Sequence, residues 1–159
     1  MNTQIGKAAP DFLLFDTTKT QISLSQQKGS NVLLLFFPLA YTSICTIELC
    51  SVRDNLDKYN AANAKVFGIS VDSLYTLAQF KNDQNLNFSL LSDFNKEVSK
   101  SYNVLYEEFS YGMKGVSKRA ALVIDGAGII QHQEILENAS LQPDFGKIDE
   151  ALERLTAPA

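Results

Sequence analysis

At 159 residues, with 45% hydrophobic and 20% charged side chains, the chain has an ordinary globular composition and is long enough to bury a core without disulfide staples or a structural metal. A formal net charge of −4 and a pI near 4.9 leave no basic footprint for nucleic acid or an anionic membrane. The longest apolar run, residues 32–39, falls far short of the roughly 20 residues that a membrane-spanning helix needs.

Residues 1–10 lack the basic stretch, apolar run and small-residue cleavage site of a secretory signal, so a cytoplasmic protein is expected. Short strands follow at residues 11–15 and 21–24, separated by the polar Asp16-Thr17-Thr18-Lys19, and together they read as an N-terminal hairpin. Residues 31–37 form an unbroken apolar run of the kind that fills a central strand. Pro38 ends it, and a helical stretch covers residues 43–61.

A strand at 65–71 leads to a helix at 73–84, capped by Asp72 or Ser73, and to a short strand at 89–91. Residues 95–102 read as a short helix, whereas 103–118, with Gly112 and Gly115, read as loop. Residues 119–124 and 129–135 flank the turn Asp125-Gly126-Ala127-Gly128 as an antiparallel hairpin, and 144–155 have the period of a closing helix, with the last four residues frayed. Alternation of strand and helix predicts an α/β protein with a central mixed sheet flanked by helices, in a thioredoxin-like arrangement carrying the N-terminal hairpin. No repeat, linker or low-complexity tract interrupts residues 1–159, so a single domain is expected.

The informative segment is Pro38-Leu39-Ala40-Tyr41-Thr42-Ser43-Ile44-Cys45-Thr46-Ile47-Glu48-Leu49-Cys50. A cysteine in the first turn of a helix sits at the positive end of the macrodipole, among N–H groups with no intrahelical partner, and both features favour thiolate over thiol. Thr42 is placed to cap the helix and to turn its hydroxyl toward Cys45. The plainer reading makes Cys45 a small buried hydrophobe and Thr42 only a cap. Cys45, Cys50 and the sole histidine, His132, show no zinc spacing, so no metal and no cofactor is expected. His132 itself, with no motif around it, reads as a core or surface histidine.

Pro38, Thr42 and Cys45 stand in the order Pro-x-x-x-Thr-x-x-Cys, which resembles the active-site signature of the peroxiredoxins, the alkyl hydroperoxide reductase C and thiol-specific antioxidant family. The resemblance extends from Ala9-Pro10-Asp11-Phe12 through Leu90-Leu91-Ser92-Asp93 to the strand that begins at Arg119. It implies a thiol-dependent peroxidase acting on hydrogen peroxide and organic hydroperoxides. Cys45 would be the attacking thiolate, Arg119 the arginine that completes the site, and Glu48, one helical turn after Cys45, the acid that holds the arginine. Arg53 and Arg154, the other two arginines, fall on helices expected to be solvated.

An ordinary thiol is about 3% ionised at pH 7, so raising the thiolate fraction alone gains at most about 30-fold in rate. Most of the acceleration must therefore come from donors aimed at the peroxide oxygens, for which Arg119, Thr42 and nearby backbone N–H groups are the candidates.

The resulting sulfenic acid needs a thiol to capture it. Cys50 corresponds to the second cysteine of the Q-type, bacterioferritin-comigratory branch, whereas the residues around Cys45 look more like the E-type branch with its one-cysteine cycle. Cys50 is expected to resolve Cys45, core packing being the alternative. On an intact helix two residues five apart have Cα atoms about 8.7 Å apart, beyond the roughly 7 Å limit for a disulfide, so the helix start would have to unwind. The family likeness further implies a thioredoxin- or glutaredoxin-type reductant and a homodimer. A thioredoxin-like disulfide exchanger and a redox-sensing or holdase-like protein are the competing readings, and the Cys-x₄-Cys spacing counts against the first.

Overall fold

The computed structural model describes residues 3–156. Its centre is a seven-stranded mixed sheet in the order β2-β1-β5-β4-β3-β6-β7. The strands are β1 (Leu13–Asp16), β2 (Gln21–Ser23), β3 (Asn31–Phe36), β4 (Ala64–Ser70), β5 (Ser89–Ser92), β6 (Arg119–Ile124) and β7 (Ile130–Leu136). β3, β4 and β5 run parallel, linked by helical crossovers, while β6 is antiparallel to β3 and β7 to β6. The N-terminal hairpin β1–β2 adds to the other edge, with β1 antiparallel to β5. The expected thioredoxin-like α/β architecture with its extension is thus present.

Every residue of β3 and β6 is buried, the apolar runs that follow Asn31 and Arg119 being covered on both faces. Strand alternation divides the core in two. Leu33, Leu35, Phe37, Ala121 and Val123 face one side, where they pack with Leu49, Val52, Leu77, Phe80 and Ile148. These come from the helices α1 (Ser43–Asp54), α3 (Leu74–Asp83) and α5 (Phe145–Thr156). Val32, Leu34, Phe36, Ala120 and Leu122 face the other side, against Phe12, Val98, Tyr102 and Val104. Each fully buried Leu or Phe in these layers contributes about 1.5–3 kcal/mol.

Several expected boundaries shift for identifiable reasons. The long helix at 43–61 is two helices, α1 and α2 (Leu56–Ala61), because Asn55 turns its side-chain amide onto the Ser51 carbonyl at 2.8 Å and takes a non-helical φ/ψ of −116°/17°. Ser73 is the cap of α3, accepting from the Thr76 amide at 3.1 Å, and Asp72 is used elsewhere. The short helix expected at 95–102 is α4 (Glu97–Ser101), and a 3₁₀ turn, Ser110–Gly112, lies within the expected loop. Thr156, expected to fray, is the last residue of α5 and holds the Leu152 carbonyl at 3.2 Å. Residues 157–159, and the first two of the N-terminal segment, lie outside the described residues.

Candidate active site

The site forms where β3 and β6 meet α1. Phe36 pairs with Ala120, so the antiparallel register brings Arg119 to the level of Phe37, just before Pro38, which has no N–H to continue the ladder. Because Arg119 shares its parity with Ala121 and Val123, its side chain points to the face that α1 covers. Cys45 is the third residue of α1 and fully buried.

The guanidinium joins the three groups. Nη2 of Arg119 donates to Cys45 Sγ at 3.3 Å, and Nη1 donates to Glu48 Oε2 at 2.6 Å. Nε and Nη2 also donate to the Ala139 carbonyl at 3.3 and 2.9 Å, which fixes the plane of the fork. Arg119 is 1% exposed and Glu48 0%, so the ion pair is removed from water. Burial pushes the Glu48 carboxyl up to about 7, against the pull of Arg119, and its Oε1 has no hydrogen-bond partner among the described residues. Burial alone would lower the Arg119 pKa, but Glu48 and the Cys45 sulfur outweigh it and hold the guanidinium charged.

Thr42 departs from expectation. It occupies the N-cap position with φ/ψ of −85°/149°, yet it makes no side-chain cap hydrogen bond. Its hydroxyl donates instead to the Leu39 carbonyl at 2.9 Å. With the proton so used, the hydroxyl oxygen is left as an acceptor. The donors at this end of α1 are the Arg119 guanidinium and the first-turn amides, which a helix leaves without intrahelical partners.

An open cleft of about 680 Å³ leads to this point, lined by Pro38, Thr42, Ile44 and Arg119 on one side and by Tyr106 and Phe109 on the other. Cys45 itself does not line the cleft; it is fully buried and meets the lining through Arg119. Five of the six expected site residues, Pro38, Thr42, Cys45, Glu48 and Arg119, therefore converge. Cys50 does not join them. It is half-buried on another face of α1, a free thiol whose Sγ–H donates to Gln84 Oε1 at 3.5 Å.

One other residue differs from what was expected of it. Arg53 is not simply solvated, since it donates to the Gln84 carbonyl and to Asp54 at 2.9 Å. His132 stands on β7 with Nε2 buried and unpartnered among the described residues; burial lowers its pKa, with Lys147 and Arg154 of α5 acting in the same direction.

Sequence reasoning missed two contributors. The Ala139 carbonyl carries no side-chain signal and becomes visible only once the chain after β7 has folded over Arg119. Asp72 accepts the Ala40 amide at 2.8 Å and the Ser70 hydroxyl at 2.7 Å, tying the loop before Cys45 to the end of β4. Its position beside a capping serine conceals that use.

A buried sulfur held 3.3 Å from a fixed guanidinium is an arrangement suited to thiol redox chemistry. On a thioredoxin-like sheet this defines a thiol-based redox enzyme. Residues 5–133 match the AhpC/TSA family model. The chain is 37% identical over 129 residues to peroxiredoxin Bcp of Escherichia coli, covering 80% of this chain and 82% of that one. It is also 37% identical to a chloroplastic 2-cysteine peroxiredoxin of Chattonella marina var. antiqua, over 99% of this chain and 81% of the relative. Among solved structures, the peroxidoxin BcpB of Mycobacterium tuberculosis superposes with a TM-score of 0.81 at 29% identity, over 96% of both chains. The chain belongs to the AhpC/TSA family: it is a peroxiredoxin, a thiol-dependent peroxidase, with its likeness on the Bcp, Q-type side.

Proposed function

We propose that Cys45 is the thiolate that attacks the hydroperoxide, that Arg119 and Thr42 bind its two oxygens, and that Glu48 holds the arginine. The contact from Arg119 Nη2 to Cys45 Sγ at 3.3 Å within a buried pocket carries this reading. The sulfur attacks one peroxide oxygen and donates an electron pair to it, and the O–O bond breaks. The other oxygen leaves as alkoxide or hydroxide and takes up the proton that the thiol gave up. Sulfur is oxidised by two electrons to a sulfenic acid, and the peroxide is reduced to an alcohol or water. Arg119 stabilises the charge as it moves from sulfur to the leaving oxygen, while Thr42 accepts the substrate O–H and so orients the attacked oxygen.

Cys50 then attacks the sulfenic sulfur, forming a disulfide and releasing water. Two features support it as the resolving thiol: its partial exposure and its position on the same short helix. Because the sulfurs lie on different faces of α1, the first turn must unwind. A thioredoxin- or glutaredoxin-type thiol reduces the disulfide, in a reducing compartment such as the cytoplasm, and the chain works as one unit in a homodimer, for which β7 at the sheet edge is a candidate surface. Among the described residues no helix is long and apolar enough to cross a membrane.

Mass spectrometry after one equivalent of peroxide tests the cycle. Wild type should give a Cys45–Cys50 disulfide and Cys50→Ser a persistent Cys45 sulfenic acid. A sulfenic acid that persists in wild type would remove Cys50 from the cycle. Reductants screened on both forms, with sedimentation of the reduced protein, check the partner and the dimer.

A further inference from the structure

The last turn of α3 touches the chain on both sides of Cys45. On the N-terminal side, Tyr41 donates its phenol to Asp83 Oδ2 at 2.7 Å, and its ring packs edge-on against Phe80 with centroids 5.0 Å apart. On the C-terminal side, Gln84 accepts from Cys50 through its side chain and from Arg53 through its carbonyl. Asp83 is itself held, because Gln79 donates to its other oxygen at 2.8 Å.

Tyr41 is an unusual residue to find so fastened. It has a φ of 68°, in the left-handed region that a side chain with a Cβ disfavours, and half of its surface is exposed. Burial does not account for the conformation, so the hydrogen bond to Asp83 and the Phe80 contact are what hold it, together with the Asp72 bond to the preceding Ala40 amide. The phenol keeps its proton throughout the neutral range, since the Asp83 hydrogen bond raises its pKa to about 12. Releasing the ring would let Tyr41 relax toward ordinary φ, and that relaxation begins the unwinding of the first turn of α1.

We propose that Tyr41 and Asp83 are positioning residues whose hydrogen bond clasps the start of α1, favouring peroxide attack at Cys45 over the unwinding that brings Cys45 to Cys50. The resolution half of this statement rests on the proposed role of Cys50; the clasp itself does not. The clasp sets how long the sulfenic acid stays in the pocket, and therefore how much of it a second peroxide carries to the sulfinic acid.

Tyr41→Phe keeps the ring on Phe80 and removes only the hydroxyl, and Asp83→Ala removes the acceptor. Each should raise the ratio of the disulfide-formation rate to the peroxide-attack rate about two- to fivefold, as the loss of one partly exposed hydrogen bond allows, by speeding the first and slowing the second, and should lower the sulfinic yield under excess peroxide. Asp83→Asn, which still offers an oxygen to the phenol, should restore most of the wild-type ratio, and the double variant Tyr41→Phe/Asp83→Ala should add nothing to either single one. A general loss of stability would not produce opposite changes in the two rates.

Disulfide formation that is unchanged or slower in Tyr41→Phe would overturn the proposal. Amide hydrogen exchange over residues 40–46 in a Cys50→Ser background decides the clasp separately: protection should fall when the hydroxyl is removed, and unchanged protection refutes it. If wild type forms no Cys45–Cys50 disulfide, the role of Cys50 fails, and this exchange result alone determines whether the clasp stands.

Discussion

Replacing Arg119 with alanine is expected to lower the second-order rate constant for hydroperoxide by about 10²–10³, the usual cost of removing a donor aimed at developing oxyanion charge. A fall to the ionisation of an ordinary thiol would change the rate by about 30-fold at pH 7, so rates taken where the thiol is fully ionised separate the two explanations. Arg119 meets Cys45 Sγ, Glu48 and the Ala139 carbonyl at once, and its removal takes away the donor to the sulfur and, among the described residues, the only cation bonded to Glu48. Arg119→Lys should recover little, because an ammonium cannot hold a carboxylate, a carbonyl and a sulfur in one plane. Stopped-flow oxidation across a pH series, with thermal melts confirming the fold, measures the effect. A loss that vanishes once the thiol is fully ionised would assign Arg119 to ionisation only.

The second large effect concerns Glu48. Glu48→Ala leaves the buried guanidinium without its carboxylate and should cost about 3 kcal/mol of stability, in the range for breaking a buried pair from one side. Glu48→Gln keeps an acceptor oxygen and should behave differently with pH. Burial raises the folded-state pKa of Glu48 from its ordinary 4.5 to about 7, so between those values the folded state binds a proton that the unfolded state has lost. Stability from this group is therefore present below about 4.5 and lost as pH rises through about 7. The stability of Glu48→Gln relative to wild type should accordingly increase across that window, by on the order of 1–3 kcal/mol. Chemical denaturation at a series of pH values gives the difference curve, and a flat curve would show that Arg119 keeps Glu48 ionised throughout.

Much of this was legible in the sequence because the determinants are local. The apolar run of β3, the proline that ends it and the cysteine two residues into α1 lie within one stretch of chain. Arg119 was accessible from the family likeness, and strand parity explains why it points inward. What the sequence concealed depends on tertiary approach. The Ala139 carbonyl has no residue-type signature, the Thr42 hydroxyl could have gone either to the helix or to Leu39, and the choice is made by the geometry of the loop. The break at Asn55 turns on one side-chain amide competing with the backbone. Tyr41 carries no signal of its own within residues 38–50, and its left-handed backbone and its bond to Asp83, 42 residues away, emerge only when α3 packs beside α1.

The most direct test of the central claim is rapid-quench mass spectrometry of the reduced protein mixed with one equivalent of hydroperoxide, with wild type, Cys50→Ser and Cys45→Ser run in parallel. One oxygen should appear first on Cys45 in Cys50→Ser, one equivalent of alcohol should form with it, and Cys45→Ser should consume no peroxide on this timescale. First oxidation at Cys50, or peroxide reduction by Cys45→Ser at the wild-type rate, would contradict it.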